Sequence, residues 1–194
     1  MSDDFVEVIA QETVARRVAE LADEINADHP DGDLVVIGIL KGSLIFMKDL
    51  LDHLPLDSTP QFLALTRFGS EGRISVTLDL DEPLDDRDVL LVLEIVDTGL
   101  TLLTIQKMLE AKGARSVSTV TLLDKAPRRI VDVPVEYRGF EVGDEYLLGY
   151  GLDWKGLFRN LRSVWAVMNM PRFLDEPHSF VDAAYGTAQA LRTE

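Results

Sequence analysis

Apolar residues along this chain recur in two spacings. Over Gln11–Asp28 they fall at Val14, Val18, Leu21, Ala22 and Ile25, with Arg16, Arg17, Glu20 and Glu24 off that face, which predicts an amphipathic helix. Residues 34–40 and 89–93 are unbroken apolar runs rich in branched side chains and too short for lone helices. They read as strands buried in a parallel sheet, with residues 116–123 as a further core strand. Between them, His29-Pro30-Asp31-Gly32-Asp33 breaks the first helix, and Leu44, Phe46, Met47, Leu50 and Leu51 mark a second. Pro55 and Pro60 bracket a loop, and residues 61–68 and 73–80 make two strands around a Gly-Ser-Glu-Gly tip. A third helix is expected over 102–112, stopped by Gly113. Shorter strands follow at 133–140, within 143–153 and at 163–168. Strands alternating with helices predict an α/β domain with a mainly parallel central sheet flanked by helices. The domain is expected over residues 1–170. Residues 171–194 stand apart as an extension in which Ser179 caps a helix from Phe180 to about Arg192. Val181, Ala184, Tyr185, Ala188 and Leu191 share one face of that helix, for docking on the core or for a partner.

Composition narrows the function classes. No apolar run reaches the length of a membrane span, and the acidic start, Met1-Ser-Asp-Asp-Phe5, lacks the basic region of a secretory signal. The absence of cysteine removes disulfides, thiolate metal sites and cysteine nucleophiles, and a cytoplasmic protein is the simplest fit. A net charge of −15 gives no global attraction for nucleic acid. An anionic substrate must then be held by local cations, backbone amides or a metal.

Polar groups with such potential fall just past the predicted C-terminal ends of core strands: Lys41, then Glu94 and Asp97, then Lys125. Open parallel sheets bind ligands at that edge. Asp97-Thr98-Gly99-Leu100-Thr101 leads from strand to helix, where backbone N–H groups and a helix N-terminus can hold phosphate and the acids a sugar or metal. A further cluster, Gly149-Tyr150-Gly151-Leu152-Asp153 with Trp154 and Phe158-Arg159, combines flexible backbone, aromatics, an acid and a cation. Alone it reads equally well as a loop packed on the core.

Taken in this order, the stretches resemble the hypoxanthine-guanine branch of the type I phosphoribosyltransferases over roughly residues 10–168. The resemblance implies that family's fold, with a small hood beside the central sheet, and transfer of phosphoribose from phosphoribosyl diphosphate (PRPP) to a 6-oxopurine. The products would be a nucleoside monophosphate and pyrophosphate, the cofactor Mg2+, and the assembly a homodimer or homotetramer. Residue by residue, it implies that Leu40-Lys41-Gly42-Ser43 is the diphosphate loop, containing a non-proline cis peptide, and that Thr98, Gly99, Leu100 and Thr101 cradle the 5′-phosphate. Asp97 would accept the proton at purine N7. Lys125 would read the exocyclic oxygen, Tyr146 stack on the base and Leu147 offer its backbone. Asp153 would ligate magnesium beside the base, Glu94 would hold the ribose with its metal, and Arg159 would meet pyrophosphate.

Two places depart from the pattern. Leu93 stands where the family has the first of two ribose-binding acids, and the missing charged hydrogen bond is worth roughly 1.5–3 kcal/mol. Either Glu94 covers the ribose alone, or PRPP affinity is weakened, or the chain is a non-catalytic PRPP- or nucleotide-sensing regulator. The lid is also short, with Arg67-Phe68 in place of a Ser-Tyr pair. A transferase for another base such as xanthine is the remaining alternative.

Overall fold

In the computed structural model, which describes residues 3–55, 57–68 and 73–185, the alternation of strands and helices is realised. The chain order is β1 (Phe5–Ile9), α1 (Gln11–Asp28), β2 (Leu34–Leu40), α2 (Leu44–Leu51), β3 (Thr59–Phe68), β4 (Arg73–Leu78) and β5 (Asp88–Val96). Then come α3 (Leu100–Ala111), β6 (Ser116–Asp124), a 3-10 turn (Ala126–Arg128), β7 (Tyr137–Glu141), β8 (Tyr146–Leu148), β9 (Val164–Val167), α4 (Met170–Asp175) and α5 (Ser179–Tyr185). The elements fall into two units, residues 15–144 and a smaller one made from residues 1–14 and 145–194; α1 begins in the smaller unit and continues into the larger.

Among the described residues the larger unit holds a six-stranded sheet in the order β4-β3-β2-β5-β6-β7. All neighbours are parallel except β3 and β4. The apolar runs build its centre: Val35 lies opposite Val89 and Ile37 opposite Leu91. Because side chains alternate along a strand, Val89, Leu91 and Leu93 share a face and join one buried cluster with Leu102, Ile105 and Leu109 of α3. Each such side chain contributes about 1.5–3 kcal/mol by leaving water. The α1 face expected from the spacing is buried at Val18, Leu21, Ala22 and Ile25.

Several boundaries differ from expectation, among them the strand expected at 133–140, which starts only at Tyr137. Pro60 lies inside β3 opposite Val36, not in a loop. β4 joins β3 only from Ala64 onward, so Pro60 stands where β3 is still an edge and its missing N–H disturbs no ladder. β5 continues through Glu94 to Val96, and α3 starts at Leu100, two residues earlier than expected. The tip 69–72 and the side chains of Arg67 and Phe68 lie outside the described residues, as does the C-terminal helix beyond Tyr185.

The smaller unit contains a three-stranded sheet, β1-β9-β8, with antiparallel neighbours. Strand β1 escaped the sequence reading because only Phe5 of its five residues is fully buried, while Val6 and Val8 are exposed. Rings fill the core: Phe5 stacks on Trp165 with centroids 4.8 Å apart, and Phe173 meets Phe180 edge-on at 5.1 Å. Helix α4 follows Asn169, whose side-chain oxygen accepts the Arg172 N–H at 3.2 Å, and Asp4 binds both Asn169 and Arg172. The segment after residue 170 therefore contributes Phe173 and Phe180 to the aromatic core.

Candidate active site

The end of β5 and the turn into α3 enclose a cavity of about 260 Å³, lined by Leu93, Glu94, Asp97, Thr98, Gly99 and Thr101 among others. Gly99 precedes α3 with φ +86, a left-handed conformation that disfavours a side chain. A Cβ there would also come within 2.8 Å of Arg129 and 2.9 Å of Val133. The main chain of the turn is held from the same segment, since the Ile130 N–H donates to the Thr98 carbonyl at 3.1 Å. Thr98 and Thr101 are half-buried and Leu100 is exposed, so residues 98–101 offer a turn and the first residues of a helix to an anion.

Leu93 and Glu94 diverge. Leu93 is buried and belongs to the aliphatic cluster, whereas Glu94 is half-buried with its carboxylate against Gly42. A Cβ on Gly42 would overlap that carboxylate, so a side chain at this position would require the Glu94 carboxylate to move aside. The Leu40–Lys41 peptide is cis, as the resemblance implied, and Lys41 is exposed while Gly42 and Ser43 are buried. The Ser43 hydroxyl anchors the turn by donating to the Ile39 carbonyl at 2.7 Å. Glu94 and the Lys41-Gly42 turn are thus brought together at the C-terminal ends of neighbouring strands.

Lys125 is buried immediately after β6, and its N–H donates to the Val96 carbonyl at 2.9 Å. The structure also places two arginines at Asp97 that the sequence reading missed. Arg128 Nε donates to Asp97 Oδ1 at 2.7 Å, and Arg129 Nη1 donates to the Asp97 carbonyl at 2.9 Å. Arg128 also binds Asp144, and Arg129 binds the buried Asp124. The pair of carboxylates, Asp144 first, pushes the Arg128 pKa up, and the guanidinium holds the Asp144 carboxyl below its ordinary value. Adjacent arginines in so acidic a chain, three residues past a strand-end lysine, were the available signal.

In the smaller unit the expected base-binding residues other than Lys125 form their own group. The loop after β8 turns through Gly149 (φ +91), Tyr150 (φ +45) and Gly151 (φ +102). Tyr146 is half-buried, its ring meets Trp154 edge-on at 5.7 Å, and its hydroxyl donates to the Asp153 carbonyl at 3.3 Å. Burial, and then the Asp153 charge, raises the Tyr146 pKa. The Leu147 side chain is buried, and its backbone lies in register with Ala166. The Asp153 carboxylate accepts from Arg159 and from the Gly156 N–H at 2.6 Å, and Arg159 also donates to the Gly151 carbonyl. Asp153 and Arg159, assigned by resemblance to metal and pyrophosphate, are therefore paired with each other. No group of three or more histidine, aspartate or glutamate side chains converges among the described residues.

Comparison with known proteins decides the family. A model of the phosphoribosyl transferase domain matches residues 6–154. The chain belongs to the phosphoribosyltransferase family. Its relatives lie in the hypoxanthine-guanine branch. It is 39% identical over 165 residues to the hypoxanthine-guanine phosphoribosyltransferase of Aquifex aeolicus, covering 82% of this chain and 93% of the relative. Identity to the Bacillus subtilis enzyme of the same name is 36% over 158 residues, covering 79% and 88%. The crystal structure of a hypoxanthine-guanine phosphoribosyltransferase from Bacillus anthracis superposes with a TM-score of 0.81 at 34% identity, covering 84% of this chain and 98% of that one. Phosphoribosyltransferase fold and transferase class are thereby fixed together.

Proposed function

We propose that the chain is a purine-salvage phosphoribosyltransferase that joins a 6-oxopurine, hypoxanthine or guanine, to PRPP and releases pyrophosphate and the nucleoside monophosphate. The observation that carries this reading is the cavity at the end of β5, with Asp97 on its wall and the turn into α3 beside it. A carboxylate at an anion-binding turn suits a reaction in which a purine nitrogen bonds to C1 of the ribose as the bond to pyrophosphate breaks. Asp97 takes the proton from the purine as the new bond forms. The amides of residues 98–101 hold the 5′-phosphate, Lys41 and Gly42 the pyrophosphate, and Glu94 the ribose hydroxyls. Lys125 donates to the 6-oxo group, Tyr146 stacks on the base, the Leu147 backbone reads its edge, and Arg159 meets pyrophosphate.

The donor chemistry suits magnesium, which binds through one or two carboxylates and completes its shell with substrate phosphates and water rather than an all-protein cage. Glu94 in the larger unit and Asp153 in the smaller are each assigned as a carboxylate for magnesium, which would supply charge neutralisation of the leaving pyrophosphate when bound. Among the described residues no helix is long and apolar enough to cross a membrane. The same reading makes the protein a cytoplasmic homodimer or homotetramer. A second reading, a PRPP or nucleotide sensor without turnover, draws on Leu93, whose side chain is in the core and offers the ribose no acceptor.

The test is incubation with PRPP and magnesium and, in turn, hypoxanthine, guanine, xanthine and adenine. Nucleotide formed from hypoxanthine or guanine, none from adenine and none after chelation is the expected result. Nucleotide binding without product would favour the sensor, and product from adenine would overturn the choice of base.

A further inference from the structure

The segment after Lys125 grips Asp97 in two places, through its carbonyl and through its carboxylate. Arg129 holds the Asp97 carbonyl and is itself tied to Asp124, which is 2% exposed. That arm fixes the main chain. Arg128 holds the carboxylate, and its Nη1 is tied to Asp144. The two arginines sit on a short rigid base: Pro127 lies in the 3-10 turn, and the Arg128 N–H donates to the Lys125 carbonyl at 2.8 Å. One guanidinium thus bridges two carboxylates through different nitrogens, a fork that lysine cannot reproduce.

We infer that Arg128 is a positioning residue for Asp97, and that Asp144 is the anchor that holds Arg128 in place. Resting on the proposed transferase reaction, the inference deepens it. With Oδ1 occupied by Arg128, the purine proton passes to Oδ2 of Asp97. Asp144 keeps the guanidinium from swinging away while the substrate arrives. The order of dependence is Asp144, then Arg128, then Asp97. Because a small misplacement of a reacting group is costly in rate, loss of either support lowers kcat more than it changes substrate binding.

The test is a double-mutant cycle on the full-length enzyme, reading kcat and the KM for PRPP and base. Arg128→Gln is expected to lower kcat about tenfold with both KM values within about twofold. Arg128→Lys should recover only part of the loss, since it replaces one of two bonds. Asp144→Asn is expected to cost about threefold in kcat alone and nothing further in the Arg128→Gln background. The Asp144 side chain is 73% exposed, so its replacement should leave the fold intact. Equal costs of Asp144→Asn in both backgrounds, or a change confined to KM, would overturn the inference.

A readout independent of turnover separates this result from the proposed function. The Arg128 Nε–H should give a sharp nitrogen-correlated resonance in the wild type that broadens in both Asp97→Asn and Asp144→Asn. A wild type with no turnover but with that signature would sink the transferase reading and keep the clamp. A wild type without the signature would sink the clamp whatever the turnover.

Discussion

The unit of residues 15–144 is held by aliphatic side chains from the middle of the chain, whereas the unit built from the chain ends is held by rings. In the first, Val35, Ile37, Leu91, Leu93 and Ile105 share one cluster, and the Asp97 turn is positioned by backbone, by Gly99 and by two arginines. In the second, Phe5, Phe158, Trp165, Phe173 and Phe180 form the core, and the loop we propose to bind the base hangs from a short antiparallel strand. The aliphatic unit presents a turn whose shape follows from where its strands stop. The aromatic unit fixes its loop through side-chain contacts made by segments far apart in sequence. Substitutions should therefore act through packing in one and through backbone conformation in the other.

The largest expected effect probes the ring core. Phe173 is fully buried and meets Tyr146, Trp154, Phe158 and Phe180. Phe173→Ala should cost about 3–5 kcal/mol, as large-to-small core changes do. Both tryptophans of the chain, Trp154 and Trp165, lie in this unit. Tryptophan fluorescence during urea unfolding should therefore move to lower denaturant before far-ultraviolet circular dichroism does. Coincident shifts would mean that the two cores melt as one and would break the contrast.

A smaller effect is expected at the turn. Gly99→Ala forces a side chain into a left-handed conformation, at about 1–2 kcal/mol, and presses on Arg129 and Val133. Stability measured by thermal unfolding should fall by that modest amount, while kcat/KM for PRPP falls at least tenfold, an estimate of roughly 1.4 kcal/mol or more in transition-state binding. A loss of stability without loss of kcat/KM would detach the turn from phosphate binding.

The smallest lies at the other end of β5. Asp88 accepts from Arg115 and from the Ser116 hydroxyl, and these, led by Arg115, hold its carboxyl down to about 2. A depressed folded pKa stabilises the protein above the unfolded value of 3.8 and loses that contribution as pH falls through about 2. After screening around the half-exposed Arg115, the contribution is about 1 kcal/mol at neutral pH. Asp88→Asn should be less stable than wild type by that amount at pH 7, with the gap closing between about pH 4 and pH 2. A constant gap across that range would assign the loss to packing.

The same contrast explains how much could be read in advance. Residues 34–40 and 89–93 announce buried parallel strands because both faces are covered, and Asp97-Thr98-Gly99 follows directly. The cis peptide in the Leu40–Ser43 loop followed from the resemblance rather than from periodicity, whereas the contact of Gly42 with Glu94 emerged only in the structure. Strand β1 was not legible, since Val6 and Val8 face solvent and its partner β9 lies at the far end of the sequence. Arg128 and Arg129 were missed for a related reason. Their adjacency was a local signal of concentrated positive charge, but the turn that folds them back on Asp97 is not encoded in it. Leu93 was recognised as a departure, but its place in the aliphatic cluster became visible only in three dimensions.

The central claim is that Asp97 at the end of β5 is the proton acceptor of a phosphoribosyl transfer. Asp97→Asn tests it most directly, measured as single-turnover product formation from PRPP and hypoxanthine alongside the affinity for the nucleotide product. The account predicts a loss in turnover of about 10²–10⁴-fold with nucleotide affinity within a few-fold of wild type. Near-normal turnover, or a loss of affinity large enough to explain the loss in rate, would contradict it.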